Sequence, residues 1–205
     1  MAAVNHGRVF LVGAGPGAPD LLTLRALRLL QQADIVLHDA LVHPATLALA
    51  GKAKLVQVGK RCAGHATAQS FINKRLVDAA RRYACVVRLK GGDPMLFGRA
   101  QEELDALAAA GITAEVVPGI TAALAASAAL GVSLTRRGLS RHVCLVTPRV
   151  AQESSAASDN DWVSTLLLND TAVIYMGATQ ATAIARSEEH TSELQSRGLI
   201  SYAVF

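Results

Sequence analysis

Short apolar runs recur along the chain, separated by stretches in which apolar positions return every three or four residues. The runs are Arg8-Val9-Phe10-Leu11-Val12, Ile35-Val36-Leu37, Lys54-Leu55-Val56-Gln57-Val58, Ala84-Cys85-Val86-Val87-Arg88-Leu89 and Ala114-Glu115-Val116-Val117. Near-continuous apolar runs of this length are strands buried on both faces. Helices are predicted between them over 20–32, about 44–50, 68–81 and 99–110. Strands alternating with helices form a βα series, and right-handed crossovers make its sheet mainly parallel, so the fold class is α/β. Pro118-Gly119-Ile120-Thr121-Ala122-Ala123 opens an alanine-rich helix running to about Gly131. The expected division is an N-terminal α/β domain over 1–132, a linker over 133–141, and a second α/β domain from 142 with strands at 142–147 and 171–177. The polar stretch 151–161 between those strands reads as a surface loop.

In parallel sheets ligands bind beyond the strands' C-terminal edges, so the loops there carry the candidate chemistry. Lys90-Gly91-Gly92-Asp93-Pro94 follows the fourth strand. Its glycines and proline let the backbone turn sharply and approach a ligand closely, while Asp93 presents acceptor oxygens to hydroxyl or amino donors. A carboxylate there argues against a phosphate cradle. Alone, the segment reads equally well as a plain strand-to-helix turn. After the first strand comes Gly13-Ala14-Gly15-Pro16-Gly17-Ala18-Pro19-Asp20. It departs from the dinucleotide fingerprint Gly-x-Gly-x-x-Gly, because Ala18 takes the third glycine's place and Pro16 and Pro19 remove backbone donors. A stiff loop lining a pocket fits better.

Composition narrows the classes. The chain has 205 residues, 51% hydrophobic and only 4% aromatic, the profile of helix-covered sheets. No apolar run reaches the ~20 residues that cross a bilayer, and the first seven residues hold no signal-peptide core, which makes the cytoplasm the expected location. Cys62, Cys85 and Cys144 are odd in number and widely spaced, so buried reduced thiols are expected rather than disulfides or a metal cluster. The six histidines lack ligand spacing, and His38 and His43 flank a turn, so no metal is expected. The formal charge of +4 is spread without a basic run or interleaved aromatics, which excludes a nucleic-acid surface from the expectation. Lys60-Arg61, Lys90, Arg99, Arg136-Arg137 and Arg141 fall near strand ends and loops, where they are either solvated surface charge or contacts for a polyanionic small molecule.

Several motifs then occur in one order: Val12-Gly13-Ala14-Gly15-Pro16-Gly17 with Leu21-Leu22-Thr23-Leu24, His38-Asp39-Ala40-Leu41-Val42, and Val58-Gly59-Lys60-Arg61. They continue with Arg88-Leu89-Lys90-Gly91-Gly92-Asp93-Pro94 with Phe97-Gly98-Arg99, Val117-Pro118-Gly119-Ile120-Thr121-Ala122, and Tyr175-Met176-Gly177. From Arg8 to Ala185 the chain resembles the uroporphyrinogen-III C-methyltransferases of the tetrapyrrole methylase family. The resemblance implies a two-domain fold, a homodimer, and S-adenosylmethionine held between the domains as methyl donor to a tetrapyrrole in sirohaem or cobalamin synthesis. It implies cofactor contacts at Pro16, Gly91, Gly92, Asp93, Leu96, Thr121, Ala122 and Met176, with Asp39 as proton acceptor and Lys60 as proton donor. Read without it, Asp39 is better taken as a helix N-cap, Lys60 as a salt-bridging surface lysine, and Leu96 and Met176 as ordinary core. The reaction needs no side-chain nucleophile: a pyrrole carbon attacks the sulfonium methyl in line, and the protein positions the partners and manages protons.

Two departures stand out. Arg99 is followed by Ala100-Gln101-Glu102-Glu103, where many relatives carry paired glycines before the glutamates. Arg186 to Phe205 reads as translated sequencing adapter, so the family's last strands and a glycine loop closing the adenine pocket are expected to be missing after Ala185. The second domain would then keep two strands, too few for an independently stable sheet. Competing readings are a later corrin-ring methylase, disfavoured by Asp39 followed by Lys60; an inert fragment of the same fold; and a nicotinamide dehydrogenase, disfavoured by the prolines of the first loop.

Overall fold

The computed structural model of the protein describes residues 6–58, 65–147, 166 and 168–177. Five parallel strands, β1 (Arg8–Gly13), β2 (Ile35–His38), β3 (Lys54–Gln57), β4 (Cys85–Lys90) and β5 (Ala114–Val117), form one sheet in the order β3-β2-β4-β1-β5. The α/β parallel architecture expected from the alternation is therefore what forms. The register sets the strand ends level, with Gly13 opposite Lys90, Val12 opposite Val117, and His38 opposite both Leu89 and Gln57.

Helices cover both faces, which is why the strands could be apolar at nearly every position. On one face Val9, Leu11, Ile35, Leu37 and Val86 pack against Ile72 and Leu76 of α3 (His65–Ala80) and Leu107 of α4 (Ala100–Ala109). On the other, Phe10, Val12, Val36, Val87 and Leu89 pack against Ala26 and Leu30 of α1 (Leu24–Gln32). Each fully buried leucine or valine contributes about 1.5–3 kcal/mol relative to exposure.

Helix starts differ from the expectation where caps intervene. The helix foreseen at 20–32 breaks into a 3₁₀ turn, Pro19–Leu21, and then α1, because Thr23 turns the backbone extended and its Oγ1 accepts a hydrogen bond from Ala26 N at 3.1 Å. The next helix, α2 (Pro44–Leu47), is capped by His43 Nδ1, which accepts from Ala45 N, and passes into a 3₁₀ turn at Ala48–Ala50.

The chain clusters into two compact units, Met1–Thr121 and Ala122–Phe205. In the second, α5 (Ala122–Leu130) precedes two parallel strands, β6 (Val143–Val146) and β7 (Thr171–Ile174), with Leu166, Ala172 and Ile174 as a small core. The strand foreseen at 171–177 ends at Ile174, since Met176 takes a left-handed φ of 57°. Cys85 and Cys144 are free and half-buried, and Cys62, the 151–161 loop and the tail from Arg186 lie outside the described residues. Among the described residues no helix is long and apolar enough to cross a membrane.

Candidate functional site

Three loops leave the sheet's C-terminal edge and meet backbone to backbone. Ala14 N donates to Lys90 O at 2.7 Å, Gly15 N to Gly92 O at 3.2 Å, and Gly92 N to Gly15 O at 2.8 Å, joining the β1 and β4 loops. The β5 loop closes on both: a Cβ added at Gly119 would lie 2.3 Å from Gly92 O and 2.8 Å from Gly13 Cα, and one at Gly13 only 2.6 Å from Gly119 Cα. Only glycine permits that approach. Gly92 also needs its glycine for a φ of 65°. Asp93 fastens the junction, accepting Met95 N on Oδ1 at 2.8 Å and Gly119 N on Oδ2 at 3.0 Å.

Around this junction the structure gathers Gly91, Gly92, Asp93, Leu96 and Thr121, with Pro16 next to the bridged Gly15. A Cβ built on Gly92 would lie 3.9 Å from Thr121 Cα. Gly91 is exposed, and a Cβ there would have no heavy atom within 4 Å, so the backbone faces open space. Leu96 and Pro16 are half-buried, which leaves part of each surface available. In the second unit Met176 is half-buried and left-handed, and its neighbour Tyr175 accepts Ala123 N on its hydroxyl at 3.3 Å, next to Ala122 at the start of α5. Left-handed backbone at a non-glycine residue stores strain and concentrates at ligand sites.

Asp39 follows β2 at the same edge. It does not cap α2, whose N-cap is His43. Its Oδ1 accepts Arg88 Nη2 at 2.5 Å, and its backbone carbonyl lies 3.0 Å from His38 Nδ1. Arg88 is 1% exposed; its Nε donates to Glu103 Oε1 at 3.0 Å and its Nη1 to Leu89 O at 3.2 Å. Lys90 Nζ donates to the same Glu103 oxygen at 3.0 Å. Two cations and two carboxylates thus form a chain at the ends of β2 and β4. Burial pushes the Lys90 ammonium below its ordinary value, with Arg88 adding to this and Glu103 opposing it. Glu103 Oε2 is buried and has no hydrogen-bond partner among the described residues.

Arg88 and Glu103 were not singled out from the sequence, although a signal existed. Arg88 and Lys90 sit two apart, hence on one face, in a strand otherwise wholly apolar. Buried cations need buried acid, and Glu102-Glu103 in the first turn of α4 is the nearest supply. Lys60 lies outside the described residues; Val58, two positions earlier, donates its N–H to His38 O at 2.9 Å, immediately before Asp39.

Residues 8–197 match the family model of Tetrapyrrole (Corrin/Porphyrin) Methylases. The chain belongs to this family. Among tetrapyrrole methylases it is 52% identical over 177 residues to a siroheme synthase of Pseudomonas fluorescens, covering 86% of this chain and 38% of that protein. It is 49% identical over 178 residues to a uroporphyrinogen-III C-methyltransferase of Pseudomonas aeruginosa, covering 87% of this chain and 71% of the relative. The chain therefore spans less than two fifths of the siroheme synthase's length. A crystal structure of uroporphyrin-III C-methyl transferase from Thermus thermophilus complexed with S-adenyl homocysteine superposes with a TM-score of 0.71 at 42% identity, covering 88% of this chain and 74% of that one.

Proposed function

We propose that this chain is an S-adenosylmethionine-dependent C-methyltransferase that converts uroporphyrinogen III to precorrin-2 by way of precorrin-1. The observation that carries the reading is the three-loop junction, where the open Gly91 backbone and the Asp93 carboxylate fit a ligand with ribose hydroxyls, on a chain whose structural neighbour is complexed with S-adenyl homocysteine. Pro16, Gly91, Gly92, Asp93, Leu96 and Thr121 hold the cofactor in this proposal; Ala122 and Met176, in the second unit, join them on the strength of the family motifs. S-adenosylmethionine, when bound, supplies an electrophilic methyl on a sulfonium. The protein's residues bind and orient the macrocycle, Asp39 takes the proton that the ring loses, and Lys60 returns one. Support for Asp39 is its carboxylate at the sheet edge, with Oδ1 on Arg88 and no partner given to Oδ2 by any described residue. The same reading includes a homodimer acting in the cytoplasm, with a product that feeds sirohaem or cobalamin.

Titration calorimetry of the full chain with S-adenosylhomocysteine, with NAD as the contrasting ligand, tests the cofactor. Binding of the first and none of the second is expected. No binding of S-adenosylhomocysteine, or equal binding of both, refutes the proposal.

A further inference from the structure

Of the four charged side chains joined at the ends of β2 and β4, only Asp39 reaches solvent. Its side chain is 33% exposed, against 2% for Arg88, 4% for Lys90 and 0% for Glu103. We propose that Glu103 is a positioning residue for Asp39, acting through Arg88, while Lys90 balances the charge that Glu103 brings into the core. This rests on the reading above in which Asp39 is the proton acceptor.

The geometry is a relay of orientation. Glu103 Oε1 takes Arg88 Nε at 3.0 Å and lies 3.0 Å from Nη2 as well, which fixes the plane of the guanidinium and holds Nη2 between Glu103 and Asp39 Oδ1 at 2.5 Å. A guanidinium is planar and presents its donors in a rigid fork, so restraining one nitrogen restrains the others. Leu89 O takes Nη1 and removes the remaining freedom of rotation. Asp39 is thereby held by one oxygen while Oδ2 receives no partner from the described residues, the arrangement a general base requires.

Stability does not account for this arrangement. Burying an ion costs several kcal/mol, and replacing a buried ionic cluster by apolar side chains of similar volume is commonly neutral or stabilising. A leucine at 88 would continue the apolar strand that surrounds it. Glu103 adds a further cost, since its buried Oε2 has no partner among the described residues. The arrangement makes sense as a support for the one member that reaches solvent, Asp39.

A double-mutant cycle on the full chain tests this, with methyl transfer from S-adenosylmethionine to uroporphyrinogen III as one readout and S-adenosylhomocysteine affinity by calorimetry as the other. Glu103→Gln is expected to lower kcat about tenfold with cofactor affinity within about twofold, and to lower it less than about twofold further when Asp39 is already Asn. Equal loss in both backgrounds, or full kcat in Glu103→Gln, overturns the inference while leaving Asp39 its role. Full kcat in Asp39→Asn, or no turnover by the unsubstituted chain, overturns the reading beneath it and the inference with it. Glu103→Gln leaves Lys90 buried without its anion, so the double variant Glu103→Gln with Lys90→Met, which removes one charge of each sign, repeats the measurement. It is expected to bind S-adenosylhomocysteine normally and to show the same loss of kcat. Failure of this variant to bind assigns the cluster to folding and overturns the inference.

Discussion

Replacing Asp93 by alanine removes the acceptors for Met95 N at 2.8 Å and Gly119 N at 3.0 Å. A hydrogen bond to a carboxylate contributes about 1.5–3 kcal/mol net when buried. The Met95 bond lies at the surface, where water replaces it, and contributes near 1 kcal/mol, roughly the figure for an exposed bond. The Gly119 bond is part-buried and spans two loops, so it contributes about 1.5–2 kcal/mol. The sum of about 2.5–3 kcal/mol is a sizeable share of the roughly 5–15 kcal/mol of a folded domain. At about 3 °C per kcal/mol for a chain of this size, Tm falls by about 7–9 °C. Urea unfolding followed by circular dichroism measures the loss directly, with an unchanged m-value showing that the unfolded state is the same. Asp93→Asn is the sharper perturbation. An amide keeps one oxygen and turns the other position into a donor, so it serves one of the two N–H groups and opposes the other. Its midpoint is expected to fall at least half as far as that of the alanine variant, and S-adenosylhomocysteine affinity to fall in both, because the β4 and β5 loops are no longer fastened. An asparagine variant that unfolds at the wild-type urea concentration refutes the clamp.

Two further outcomes are expected. Gly119→Ala drives a Cβ against Gly92 O and Gly13 Cα, backbone atoms that cannot rotate aside, so it costs about 1–3 kcal/mol in the urea midpoint and weakens S-adenosylhomocysteine binding; wild-type values for both would refute the junction. Lys90 titrates below 10.5 in the native state because of its burial, so between the native and unfolded values the unfolded chain binds more protons and stability rises with pH through that window. Lys90→Met should lack this rise when the two proteins' urea midpoints are compared from neutral pH upward. The comparison cancels Cys85, whose thiol is pushed above 9.0 by burial and by Asp34 and therefore lowers stability as pH passes that value; identical slopes in the two proteins would refute the Lys90 assignment.

The five strands of the first sheet were legible because burial on both faces makes their residues apolar without alternation, and the glycines and prolines mark where each ends. Gly91, Gly92, Asp93 and Thr121 were placed at one edge correctly for the same reason, since parallel strands put all such loops on one side. Asp93 was read as a ligand acceptor, and its two backbone partners were not visible, because Gly119 reaches it only through the register of β5 beside β1. The Asp39–Arg88–Glu103 chain is equally long-range, depending on His38 standing opposite Leu89 and on α4 packing over that face. Local sequence shows an arginine in a strand but not which acid meets it. The end of β7 was missed because nothing in Tyr175-Met176-Gly177 announces a left-handed methionine. Asp39 offered two local readings; the cap falls to His43, and the contact with Arg88 does not itself identify the chemistry.

Within this sheet β1 is synthesised before the other four strands, yet among the described residues it pairs only with β4 and β5, and β2 and β3 must wait for β4 as well to join it. A nascent chain that has emerged as far as β3 can make one pairing, β2 with β3, and exposes Phe10-Leu11-Val12 with no neighbour on either side. The centre of the sheet, and with it the meeting of three turns, forms only as the second half of the first unit leaves the ribosome. Closing such distant segments is slow, and an unpaired apolar strand is prone to associate with another chain in the interval. Expression of this protein should accordingly depend on what shields β1 during translation more than on the stability of the finished sheet.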